Sequence, residues 1–77
     1  MVTQSTPKQA QPSQMEINPL LALLNAGQLE QTVAAAKKLL PRYPQAFILH
    51  HLLGIAQDGL MQYADAVISY KKALSIQ

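Results

Sequence analysis

The sequence predicts an all-α fold of two tandem, antiparallel helix-turn-helix repeats behind a disordered N-terminal leader. Leu and Ala, which favour helices, dominate a 77-residue chain in which 49% of the residues are apolar. These apolar residues recur with helical spacing along most of the chain. Two of the resulting stripes also align with each other at a fixed offset. Nothing in the pattern favours a sheet.

The leader is predicted over residues 1–13. This segment is rich in Gln, Ser and Thr, contains Pro7 and Pro12, and has almost no apolar surface to bury. Burial therefore cannot offset the entropy lost on ordering the segment. The repeat domain is predicted over residues 14–77, with units at about 13–46 and 47–77.

Four apolar stripes define the predicted helices. Gly27 and Gly59 mark turns between them, and Pro41 and Pro44 end the second helix. In chain order the stripes contain Ile17, Leu20, Leu21 and Leu24; Leu29, Val33, Ala36 and Leu40; Leu49, Leu52, Leu53, Ala56 and Leu60; and Tyr63, Val67, Tyr70 and Leu74.

The second and fourth stripes share a register. The same number of positions separates Leu29 from Tyr63, Val33 from Val67, Ala36 from Tyr70 and Leu40 from Leu74. We call this separation the repeat period. Two Lys-Lys pairs, at 37–38 and 71–72, are separated by the same period. It matches the period of about 34 residues that is typical of the helix-turn-helix units in tetratricopeptide repeats.

The second unit resembles the tetratricopeptide family closely. The matching residues are Leu53-Gly54 in its first helix, Tyr63, Ala66, Tyr70 and Ala73-Leu74 in its second, and Pro44 before it. The resemblance implies a fragment of an α-solenoid. The small Gly54 and Ala66 would let paired helices approach closely, and Tyr63 and Tyr70 would fill the space toward the neighbouring helix.

The first unit resembles the family less well. Leu20 stands where a small Gly is expected, and Thr32 where a small Ala is expected. Asn18 is a good N-cap and Pro19 suits the first helical position, so we expect the first helix to be shortened or kinked. Met61 in the second unit replaces the glycine that is usual in the turn.

The resemblance also implies a concave groove that takes a peptide or helix from a protein partner. The alternative is that the same residues belong to the core or cover a neighbouring helix. The predicted peptide-binding positions are Ile17, Leu21, Leu24, Ile48, His51, Ile55 and Asp58.

A second hypothesis is self-association into a homo-oligomer. Repeat arrays usually end in a capping helix, and none follows the fourth stripe, so Val67, Tyr70 and Leu74 are predicted to pair with another molecule. A third hypothesis is that the chain belongs to a longer array or forms the N-terminal scaffold of a larger enzyme. Its repeats also resemble those that precede glycosyltransferase or sulfotransferase domains.

No catalytic residue, cofactor or metal site is predicted. The chain has no Cys, and the adjacent His50 and His51 point about 100° apart on a helix, so they cannot chelate one ion. A net charge of +2 argues against nucleic acid as a partner, and the paired lysines are interpreted as a solvated face. No apolar run suggests a membrane span or a signal peptide, so a cytoplasmic protein is expected.

Overall fold

The computed structural model describes residues 11–76, which form four α-helices and no strand. The all-α prediction is confirmed for this range. Residues 1–10 of the predicted leader and Gln77 lie outside the described residues. The helices are α1 (Gln14–Asn25), α2 (Leu29–Leu39), α3 (Phe47–Gly59) and α4 (Tyr63–Ile76).

Of the two alternatives expected for the first helix, shortened or kinked, the shortened form is wrong. α1 begins at Gln14 because Ser13 and Glu16 form a capping box. The Glu16 N–H donates to Ser13 Oγ at 3.2 Å, and the Ser13 N–H donates to Glu16 Oε1 at 2.9 Å. Pro19 therefore lies inside the helix, where it leaves the Met15 carbonyl without its usual donor.

α1 and α3 end in turns of the same construction. After α1, the Gln28 N–H donates to the Leu23 carbonyl and Gly27 has a φ of 77°. After α3, the Gln62 N–H donates to the Gln57 carbonyl and Met61 has a φ of 64°. Both are Schellman motifs with a left-handed residue after the C-cap.

Each helix packs mainly against its neighbour in the chain, α1 on α2, α2 on α3 and α3 on α4. Short connections join α1 to α2 and α3 to α4, so each of these pairs forms an antiparallel hairpin. α3 packs against both α2 and α4 and contributes more buried residues than any other helix, namely Leu49, Leu52, Leu53, Gly54, Ala56 and Gln57.

The α2–α3 connection covers one end of this core. α2 ends at Leu39, just before Pro41, as the prolines predict. Tyr43 and Ala46 belong to this connection, and both are buried in the core.

The helices of the second hairpin make close contact at Gly54. A Cβ added to Gly54 would lie 2.7 Å from two ring carbons of Tyr70, so the ring packs directly on the glycine. Ala66 is also buried, which confirms the prediction of small residues at this interface. Nearby, the buried Ser69 hydroxyl donates to Gln57 Oε1 at 2.6 Å.

The first hairpin has the residue sizes exchanged at the corresponding positions of its sequence. The positions one repeat period before Gly54 and Tyr70 are Leu20 and Ala36. Both belong to the buried core cluster, with exposures of 2% and 0%. The large residue therefore lies on the first helix of one hairpin and on the second helix of the other.

Candidate helix-docking surface

The predicted groove residues lie on α1 and α3, but their apolar members are largely packed into the core. Ile17 is buried, and only Asp58 is well exposed. Four of the remaining positions are half-buried and pack against the core cluster: Leu21, Leu24, Ile48 and Ile55. His51 is also half-buried.

The two histidines make separate contacts. His50 Nε2 donates to the Pro44 carbonyl oxygen at 2.9 Å. The His51 ring stacks on Phe47 with the centroids 5.3 Å apart, and it lies tilted against Tyr70 at 6.3 Å. Among residues 11–76 no three His, Cys, Asp or Glu side chains are grouped to hold a metal ion.

Tyr70 belongs to α4 and contacts this aromatic pair through the His51 ring. Burial, followed by the nearby Asp58 carboxylate, raises the pKa of the Tyr70 hydroxyl above its ordinary value. The phenol is therefore neutral at physiological pH. Its ring covers Gly54 and is half-buried, so Tyr70 is less available for self-association than Val67 or Leu74.

An exposed apolar stripe of the described chain lies on α4. We call it the α4 outer face and define it by Tyr63, Val67 and Leu74, whose exposures are 59%, 51% and 72%. Ile68 is also 66% exposed, but it lies about 100° further around the helix than Val67. The expectation that Tyr63 fills space against a neighbouring helix was therefore wrong, since no described helix covers it. The side chains that α4 buries are Ala66, Ser69 and Ala73, at its contact with α3.

The equivalent face of α2 is covered. Leu29, Val33 and Leu40 are half-buried, and Ala36 is completely buried. The cover is α3, since a Cβ on Gly59 would lie 2.6 Å from Leu29 Cδ1. Three positions with the same register are therefore packed by a following helix on α2 and left exposed on α4, at Tyr63, Val67 and Leu74, whereas the fourth, Tyr70, is half-buried against Gly54.

Sequence periodicity assigned two of the exposed α4 residues to self-association and missed the other two. It placed Val67, Tyr70 and Leu74 in a self-association set, and the structure shows Val67 and Leu74 exposed. It did not add Tyr63 to that set, although Tyr63 shares their spacing. Ile68 lies outside the shared register of α2 and α4 and was identified only from its exposure.

The paired lysines lie apart from the buried core. Lys37, Lys38 and Lys71 are exposed, and Lys72 is half-buried. On α4, Lys71 follows Val67 by one helical turn and so borders the α4 outer face.

No described helix is both long enough and apolar enough to cross a membrane. No protein-family model, curated protein or solved structure matches this chain. The resemblance to tetratricopeptide repeats accordingly depends on the residues, the register and the turns described above, and it remains a prediction.

Proposed function

We propose that this chain is a protein–protein interaction scaffold built as a short tandem stack of tetratricopeptide-type hairpins. Two features support a tandem arrangement. The left-handed turn residues Gly27 and Met61 lie one repeat period apart in turns of the same construction. Leu20 precedes Gly54, and Ala36 precedes Tyr70, by the same repeat period. The larger residue of each pair lies on the first helix in one hairpin and on the second helix in the other.

The binding surface of this scaffold is the α4 outer face, and its partner segment is an apolar helix. The observation that carries this proposal is the contrast between α2, whose equivalent face is covered by α3, and α4, whose face is open. The covering helix on α2 places a glycine against Leu29. By the same geometry, a helix docked on α4 needs a small residue opposite Tyr63, because a larger side chain would hold the two helices apart.

Direct titration tests this proposal. A fluorescently labelled peptide of residues 46–60, which contains the α3 sequence, is added to the full chain and followed by fluorescence anisotropy. We expect saturable binding that Val67→Asp weakens by roughly tenfold or more, since docking would bury the new carboxylate in an apolar contact.

Ala34→Asp is the matched control, because Ala34 lies on an exposed part of α2 and receives the same charge. It is expected to bind the peptide as the unmodified chain does. Equal binding by the unmodified chain and Val67→Asp, with both folded by circular dichroism, would contradict the proposed surface.

The concave side of α3 is the second candidate surface. Ile48, His51 and Ile55 are partly exposed along it, and Asp58 is well exposed at its end. A basic peptide is the ligand that this carboxylate favours. Asp58→Lys separates the two candidates, since it should abolish binding of a basic peptide in this groove and leave docking on α4 intact.

A further inference from the structure

We propose that one half of this molecule is a basic surface that docks on an anionic lipid membrane. This surface is distinct from the α4 outer face, so the inference goes beyond the proposed function. Three observations support it: the charges are segregated between the two halves of the molecule, the lysines have no carboxylate partners within residues 11–76, and an isoleucine is exposed between two of them.

The contact between Gly54 and Tyr70 divides the charges of the second hairpin. α3 and α4 run antiparallel, so the part of α4 that follows Tyr70 lies beside the start of α3. This part contains the Lys-Lys pair at 71–72. Asp65 precedes Tyr70, and Asp58 follows Gly54. The lysines and the carboxylates therefore lie to opposite sides of this contact.

α2 repeats this division. Its first residue, Leu29, lies next to Gly59 at the end of α3, so α2 and α3 are antiparallel as well. Glu30 lies in the first turn of α2, and the Lys-Lys pair at 37–38 lies in its last turn. Both lysine pairs are therefore in the half of the molecule that contains the start of α3. We call it the basic half.

The described charges are strongly segregated. The basic half contains Lys37, Lys38, Arg42, Lys71, Lys72 and the carboxylate Glu16, and the other half contains the carboxylates Glu30, Asp58 and Asp65. Arg42 and Glu16 form the one ion pair of residues 11–76. No bound carboxylate thus offsets the field of the four lysines, and a field of this kind attracts an anionic surface.

The helix dipole accounts for only one lysine pair. Lys37 and Lys38 lie in the last turn of α2, where the dipole favours cations. The last turn of α4 contains no basic residue, because the helix continues to Ile76. The dipole effect is confined to the last turn, so it does not explain the pair at 71–72.

An exposed isoleucine favours a membrane over other anionic partners. Ile68 is 66% exposed, and Lys71 and Lys72 follow it by three and four positions, so they flank it on the helix surface. A bilayer accommodates both groups, because the lysines stay at the headgroups while the aliphatic side chain enters the acyl boundary. A uniformly acidic polypeptide would leave Ile68 in water. In the free protein this surface is solvated, in agreement with the interpretation of the lysines from the sequence.

Vesicle sedimentation tests the docking. The full chain is mixed with vesicles of phosphatidylcholine containing about one third phosphatidylserine, or of phosphatidylcholine alone, up to about 10 mM lipid, since each lysine contributes only modestly. We expect binding to the anionic vesicles alone, and we expect it to disappear when salt is raised to about 0.5 M, because salt screens the charges. Equal binding to both kinds of vesicle, or binding to neither, would overturn the proposal.

Charge variants test the location of the surface. Lys71→Gln combined with Lys72→Gln should weaken binding to anionic vesicles by roughly tenfold or more. The matched control, Gln31→Glu combined with Gln62→Glu, lowers the net charge equally, but at exposed positions of the other half. It should bind nearly as the unmodified chain does. If the control loses as much binding as the lysine variant, with both folded by circular dichroism, only the net charge matters and the basic half is not the site.

Ile68→Ser tests the nature of the partner, because it leaves every charge in place. It should weaken binding to anionic vesicles by a few-fold, since the aliphatic side chain no longer enters the bilayer. Polyglutamate serves as the acidic polypeptide. Binding to polyglutamate that Ile68→Ser does not change, together with no binding to vesicles, would replace the membrane by an acidic protein partner.

Discussion

At the scale of single residues, the two hairpin turns differ in the residue that holds the left-handed position. Gly27 and Met61 adopt the same left-handed backbone, yet only glycine does so without a penalty. A left-handed conformation costs an ordinary residue roughly 1–2 kcal/mol. The Met61 side chain is 73% exposed, so its packing offsets little of this cost.

Met61→Gly is therefore expected to stabilise the chain by about 1 kcal/mol, since the penalty is removed and only part of the gain is lost to the entropy of glycine in the unfolded state. Urea unfolding followed by circular dichroism measures the change. Gly27→Ala is the reverse control and should destabilise by a similar amount, although nothing lies within 4 Å of the added Cβ. A destabilised Met61→Gly would show that the Met61 side chain makes a necessary contact.

At the scale of elements, the two hairpins place their large and small residues on opposite helices. Tyr70 fills the space above Gly54, while Leu20 and Ala36 occupy the equivalent positions in the first hairpin. Cores tolerate such exchanges when the total volume is conserved.

The volume exchange can be transferred to the second hairpin. Gly54→Leu should destabilise it by about 1–3 kcal/mol, because the new side chain has to enter space held by the Tyr70 ring. Adding Tyr70→Ala to Gly54→Leu copies the first hairpin and should recover most of the loss. Thermal and urea unfolding of the two single variants and the double variant would measure the coupling. Additive effects would contradict the proposed equivalence.

The sequence predicted most elements because their signals were local. The spacing of apolar residues located all four helices, and Pro41 placed the end of α2 correctly. A helix starting at Asn18-Pro19 was the wrong alternative, because the Ser13–Glu16 capping box, which is also visible in the sequence, starts α1 before Pro19. Periodicity located the face of α4 that carries Val67. It could not show whether this face is covered, since coverage depends on the position of another helix.

At the scale of the whole molecule, one polar cluster connects the start of α1 to the α2–α3 connection. Tyr43 donates its hydroxyl to Glu16 Oε1 at 2.9 Å, and Arg42 Nη1 lies 3.1 Å from Glu16 Oε2. The Ser13 backbone N–H, then the Tyr43 hydroxyl and, more weakly, Arg42 hold the pKa of the Glu16 carboxyl below its ordinary value.

This cluster gives the global stability a defined acid dependence. A carboxyl whose pKa is lower in the folded state stabilises the fold fully above its unfolded pKa of about 4.3, and this stabilisation is lost as the pH falls through the folded value. We expect the free energy of unfolding to decrease over this acid range in urea titrations. Glu16→Gln should show a smaller decrease, and identical profiles would exclude Glu16 as the cause.

Every major helix contact in the described chain joins neighbours in sequence, and this has a consequence for how the protein folds. Contacts of short sequence separation require little loop closure, so folding within microseconds to milliseconds is expected. α3 is shared by two contacts, and the α3–α4 hairpin can form before α1 is in place. Folding is thus expected to begin around α3 and to proceed outward, with α1 the first helix to open when the chain unfolds.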